Sequence, residues 1–245
     1  MAIEIDINAD VGEGVGNEAQ LFPLITSCNI ACGGHAGDET TMTDVVRLAK
    51  ANKIKIGAHP SYPDKANFGR KVMDISCADL YTTLKHQVRA LMGVLYKEKA
   101  TLHHIKPHGA LYNKAFANEK TATVIVEVVK SIAQPIKLYV PYGSVIADVA
   151  LANDIDIWYE GFADRRYNDD LSLVSRSEPN AMITDSEAAY EQILQMIAKG
   201  KVDVKSGVEA SIKVQTICVH GDTENAIELT QYLITNLKEH GIIIR

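Results

Sequence analysis

The chain has 245 residues, 47% of them hydrophobic and 23% charged, which is enough to bury one full core, and a single domain over 1–245 is expected. A net charge of −6, with Lys and Arg scattered rather than in runs, excludes a broad phosphate-neutralising surface, so nucleic acid is not an expected partner. The opening MAIEIDINAD lacks a basic start and long apolar core, and no window approaches 18 apolar residues; neither export nor membrane insertion is expected, and the chain reads as cytoplasmic.

In chain order, short β-type runs alternate with helical patterns. Strands are expected at 3–9, 27–32, 54–59, 101–106, 136–141, 155–160 and 214–220. Between them, apolar residues recur at helical spacing over 40–51, 76–98, 119–133, 143–152 and 184–198. The last of these opens on Thr184 and Glu187 in capping-box spacing, and a final helix starts near Asp222 and stops at Gly241. Residues 201–213 alternate around Gly207 and suggest a hairpin beside the last strand. The four cysteines, Cys28, Cys32, Cys77 and Cys218, form no CxxC pair and read as buried, reduced thiols.

Alternating strands and helices give either an open doubly wound sheet or a closed barrel. The polar residues decide between them. Asn8, Asp10 and Glu13 follow the first strand, Asn29, His35 and Asp38 the second, and His59 the third. Lys106 and His108 follow the fourth, Tyr142 the fifth, Glu160, Asp164, Arg165 and Arg166 the sixth, and His220 and Asp222 the seventh. An open sheet concentrates ligands at one switch point, whereas a barrel brings every strand end to one mouth. The expected fold is therefore α/β, a distorted (β/α)7 TIM-like barrel.

Within NIACGGHAGD, residues 29–38, Gly33 and Gly34 permit a sharp turn that delivers His35 and Asp38 towards the mouth, although Asp38 equally suits a helix N-cap. DVGEGVGN, residues 10–17, lacks the spacing of a phosphate loop, and GKV at 200–202 fails the Walker pattern. Its glycines instead bring Asp10 and Glu13 together, which pushes carboxylate pKa values apart. His35, His59, His108 and His220 all fall just after strands, suited to proton transfer or metal ligation. An Asp with two His is a possible divalent-metal set, but no local ligand pair such as HExxH exists, so no metal ligand is assigned. Adjacent His103 and His104 point to opposite faces of a strand, so at most one reaches the interior. Lys106, Arg165 or Arg166, with Arg70 and Lys71 in a long loop, would hold an anionic substrate.

The ordered set INADVGEG, NIACGGHAGD, GAHPSYPD with NFGR, KPHGALYN, EGFADRRY and CVHGD resembles the LamB/YcsF family from residue 3 to about 225. That resemblance implies a barrel of the glycoside hydrolase/deacetylase type. It also implies action with 5-oxoprolinase subunits B and C in ATP-dependent opening of 5-oxo-L-proline to L-glutamate. Since this chain has no recognisable nucleotide loop, ATP and its Mg2+ fall to the partners. Hydrolysing an amide needs an activated carbonyl, a deprotonated water and a protonated leaving nitrogen. On this resemblance Asp10, Glu13, His59, His108, Glu160 and Asp164 become catalytic candidates, and Asn29, His35, Asp38, Lys106, Arg165 and His220 substrate-binding ones. The competing readings are a stand-alone metal-dependent amide hydrolase or deacetylase and a non-catalytic substrate-binding protein of the complex. Asn67, Asp170 and Asn180 stand where the family commonly has glycine, and they are expected to take φ > 0. Lys71 stands where it commonly has arginine, which loses a bidentate contact.

Overall fold

The computed structural model describes residues 3–221 and 225–245; Asp222, read above as a strand-end acid and helix start, lies outside them. Ten strands alternate with eight helices among the described residues. The first half runs β1 (Glu4–Val11), α1 (Glu18–Leu21), β2 (Ser27–Ala31), α2 (Glu39–Ala51), β3 (Lys55–His59), α3 (Cys77–Lys97), β4 (Leu102–Ile105), α4 (Gly109–Ala117) and α5 (Glu119–Lys130). The second half runs β5 (Lys137–Pro141), α6 (Val145–Leu151), β6 (Ile157–Phe162), α7 (Ser186–Leu194), β7 (Lys201–Asp203), β8 (Glu209–Ser211), β9 (Thr216–Cys218), α8 (Ala226–Glu239) and β10 (Ile243–Ile244). Strands β1 to β6 pair in sequence order and in parallel, β9 pairs with β6, and β9 also pairs with β1, which closes a seven-stranded barrel. β10 adds to the start of β1, and β7 and β8 form the expected antiparallel hairpin. Three expectations shift. Cys28, Cys32 and Cys218 are buried, but Cys77 is exposed, at the first position of α3. The capping residue of α7 is Asp185, which accepts from the Ala188 amide, rather than Thr184. The nine-residue α4 follows β4 so closely that its period is too short to read from sequence.

The barrel's inside and outside differ in chemistry, and β1 shows how. Ile5, Ile7, Ala9 and Val11 face the helices, whereas Asp6, Asn8 and Asp10 alternate inward. The outer layer is apolar: α3 buries Leu80, Leu84, Val88, Leu91 and Leu95, and these join one continuous apolar cluster with the strands. Each such side chain contributes roughly 1.5–3 kcal/mol on burial. The interior is polar. Asp6 accepts from the hydroxyls of Thr26, Ser27 and Thr216 at 2.8, 2.6 and 2.7 Å and from Lys55 at 3.1 Å. Above it, Asn8 donates to Glu160 and Thr216 and accepts from Asn29. His104 fills the space beside Asn29, stacked on Tyr139 with ring centroids 3.9 Å apart. Gly57 makes room for that ring, since a Cβ there would stand 2.1 Å from His104 Nε2. Among the described residues no helix is long and apolar enough to cross a membrane.

Candidate active site

The carboxyl ends of the barrel strands open into a cavity of about 770 Å³, the position where barrel loops assemble sites. At its base Lys106, just past β4, lies 3.1 Å from Asp10 Oδ1 and 2.8 Å from Glu160 Oε1. Its Nζ also lies 3.1 Å from Cys218 Sγ. Burial alone disfavours the ammonium, but the carboxylates of Asp10 and Glu160 beside it hold the Lys106 pKa well above its ordinary value. Burial likewise pushes the Asp10 carboxyl up, yet His59 and Lys106 outweigh it and keep Asp10 well below the usual range, hence ionised. The Cys218 thiol is raised by burial despite Lys106 and stays protonated.

Beside Asp10 sits a histidine cluster. His59 Nε2 lies 3.3 Å from Asp10 Oδ2 and 3.9 Å from Glu13 Oε1, while its Nδ1 donates to the Lys106 carbonyl at 2.7 Å. His108 Nδ1 faces His59 Nε2 at 3.0 Å, and its Nε2 donates to the Phe68 carbonyl at 2.9 Å. His35 stacks on His108 with centroids 3.6 Å apart and places Nε2 at 2.7 Å from Glu13 Oε1. Burial lowers the His59 pKa, but Asp10 and Glu13 raise it net; His108 falls well below its ordinary value through burial and the neighbouring rings.

Cationic side chains line the same cavity. Arg70 and Lys71 reach the cavity from the loop after β3, and Arg165 and Arg176 from the long segment after β6. Arg165 is 5% exposed, and one of its guanidinium nitrogens donates to the Val174 carbonyl at 2.6 Å. Burial, then Arg176, pushes its pKa down to about 10. Its Nε is buried without a hydrogen-bond partner. Arg166 is exposed instead, so the pair of adjacent arginines splits into one inward and one outward side chain. His220 lines the cavity with Nδ1 held at 2.9 Å by Asp164, whose carboxyl burial would raise and His220 lowers net.

The twelve site residues singled out from the sequence therefore divide by position. Asp10, Glu13, His59, Lys106, His108, Glu160, Arg165 and His220 line the cavity. Asn29 lies beneath it, joining Asn8, Asp10 and His104 by hydrogen bonds. His35 and Asp164 are buried behind Glu13 and His220 respectively. Asp38 does not face the mouth: it is exposed, and its carboxylate caps α2 by accepting from the Thr41 amide at 2.7 Å. Of the glycine replacements, Asn180 takes φ +59°, but at the other two sites the left-handed turn falls one residue later, at Phe68 and Leu171. Asn67 instead donates to Asp64 from its side chain. Tyr112 and Arg176 also line the cavity and were not singled out; Tyr112 lies on the unread α4, and Arg176 sits in a long loop with no strand-end signal.

With this geometry in place, comparison with known proteins is informative. A profile of the LamB/YcsF family matches residues 5–245. The chain is 41% identical over 241 residues to the A subunit of 5-oxoprolinase from Haemophilus influenzae (strain PittEE), covering 98% of both chains. Among solved structures it is similar to the lactam utilization protein from Thermus thermophilus, with a TM-score of 0.93, 37% identity and 99% coverage of each chain. A family 4 carbohydrate esterase from Streptomyces lividans shares the fold at 10% identity, with a TM-score of 0.53 over 99% of this chain and 91% of that one.

Proposed function

The chain belongs to the LamB/YcsF family, and from that premise we propose that it is the A subunit of an ATP-dependent 5-oxoprolinase. In the cytoplasm, with subunits B and C, it opens 5-oxo-L-proline to L-glutamate. The observation that carries this reading is a cavity lined both by cationic side chains, buried Arg165 among them, and by acid–base groups around Asp10. Buried Arg165 Nε has no acceptor, and a carboxylate supplies one through a charge-assisted hydrogen bond. The lactam ring then extends towards Asp10, Lys106 and Glu160.

In the net reaction a water oxygen bonds to the ring carbonyl carbon, the C–N bond breaks, and the nitrogen takes a proton to become the amine of glutamate. Ionised Asp10 is suited to take the proton from water, and Lys106 to hold negative charge developing on the carbonyl oxygen. Glu160 keeps Lys106 charged and in place. His220, oriented by Asp164, is the proton donor proposed for the leaving nitrogen. MgATP would be held by the partner subunits and would supply the activation of the amide oxygen, a second water converting it to ADP and phosphate in each turnover.

The test is glutamate release from 5-oxo-L-proline by this chain alone, by subunits B and C alone, and by the three together, each with and without ATP. Turnover only in the complete ATP-containing mixture is expected. Equal turnover without this chain contradicts the assignment. Turnover by this chain alone without ATP would instead favour a stand-alone amide hydrolase.

A further inference from the structure

We propose that Glu13, His35, His59 and His108 form a binding site for one divalent transition-metal ion of the zinc class. The four donor atoms, Glu13 Oε1, His35 Nε2, His59 Nε2 and His108 Nδ1, all lie within 4.8 Å of one another. Four of the six separations among them are 2.7, 3.0, 3.4 and 3.9 Å. Metal–nitrogen bonds of ~2.0–2.1 Å in a tetrahedron put neighbouring ligand atoms about 3.3 Å apart. The donors thus already stand close to the spacing of a coordination shell.

The outer faces of the rings support the same reading. His59 Nδ1 and His108 Nε2 each donate to a backbone carbonyl, the arrangement by which proteins fix ligating imidazoles in one tautomer. A carbonyl oxygen can only accept, so both outward nitrogens carry hydrogen. The inward nitrogens, His59 Nε2 and His108 Nδ1, stand 3.0 Å apart and face one common point. A cation there would take both as ligands, and three imidazoles with one carboxylate suit zinc and its first-row neighbours better than magnesium. The ligand side chains are 0–7% exposed. A second grouping, Asp10 with Cys218 and His220, does not qualify, because the Lys106 ammonium sits 3.1 Å from both Asp10 and Cys218. A bound ion would supply a Lewis acid on the histidine side of Asp10. The inference stands on the donor set and does not rest on the lactam as substrate.

The full chain, stripped with a chelator, is titrated calorimetrically with ZnCl2 and separately with MgCl2, and its zinc content is measured after dialysis. One equivalent of zinc is expected to bind and be retained, with no magnesium uptake at the same concentration. The paired replacement His59→Ala/His108→Ala, and Glu13→Gln alone, are expected to weaken zinc binding at least about 100-fold, more than loss of an outer-shell partner does. Cys218→Ala is expected to bind zinc as the unaltered chain does. Absence of zinc uptake by the unaltered chain overturns the proposal. So does retention of full affinity in Glu13→Gln and in the doubly altered chain shown to be folded by circular dichroism. Should the double variant not fold, Glu13→Gln and the unaltered chain decide. Because the readout is metal uptake, it can fail while ring opening succeeds, or succeed while ring opening fails.

Discussion

The lower barrel interior and the mouth hold the same kinds of side chain, yet their hydrogen bonding differs. Around Asp6, Asn8, Asn29 and His104, donors meet acceptors within the protein, layer upon layer. In the mouth and just behind it, buried polar atoms lack partners: Tyr112 OH, Glu160 Oε2 and Arg165 Nε on the cavity and His35 Nδ1 behind Glu13, and these are all of the kind found among the described residues. Buried polar groups are normally satisfied, and each exception needs a reason. The interior network is thus a platform, whereas the mouth is poised for groups that arrive from outside.

The comparison breaks most visibly if the platform is removed. Asp6→Ala takes the acceptor from Thr26, Ser27, Thr216 and Lys55. It should destabilise the fold by about 3–5 kcal/mol, as loss of one partner of a buried charged network does. Chemical denaturation measures this, and turnover per folded molecule in the assembled complex should be little changed. A loss of turnover without a loss of stability would place Asp6 in the chemistry rather than beneath it.

Acid should attack the same platform. Burial, then His103, holds His104 well below its ordinary pKa, and burial with Lys137 and Lys55 lowers His103 to about 4. Both folded-state values lie below the unfolded one, so as pH falls through about 6.5 the unfolded chain takes protons that the folded chain refuses. Stability is therefore full above that pH and lost below it, by up to about 1.4 kcal/mol per pH unit for each such ring. Denaturation midpoints from pH 7 to pH 5 give the slope, and His104→Gln should remove that one ring's share of it.

The smallest stability effect, with a clear binding effect, belongs to the mouth. Arg165→Met removes a buried guanidinium that has one hydrogen bond and an unpartnered Nε. Stability should change by no more than about 1 kcal/mol. The KM for 5-oxo-L-proline should rise roughly 10- to 100-fold, the equivalent of one charge-assisted hydrogen bond of about 1.5–3 kcal/mol. An unchanged KM would move the carboxylate to another cation of the wall.

The mouth was far more legible in the sequence than the platform. Residues such as His59, Lys106 and His108 stand at strand ends beside Gly or Pro, where a barrel must collect them. Asp6, Ser27 and Thr216 sit inside strands, where period-2 alternation of polar residues reads equally well as a solvent-facing side. Only closure of β9 onto β1 turns that side inward. His104 shows the limit well: its neighbour relation to His103 gave one inward ring, but not which ring, and Gly57 gave no sign that it was making room for one. Asp38 failed for a different reason, since a cap and a site acid look alike one residue before a helix.

The most direct test of the division is Asp10→Asn in the assembled complex, comparing ATP-dependent glutamate release with 5-oxo-L-proline binding. If Asp10 takes the proton from water above an intact platform, release per folded molecule falls about 10²–10⁴-fold while 5-oxo-L-proline binding changes little. Release at the unaltered rate would contradict the account, because the ionised carboxylate held by Lys106 and His59 would then have no part in opening the ring.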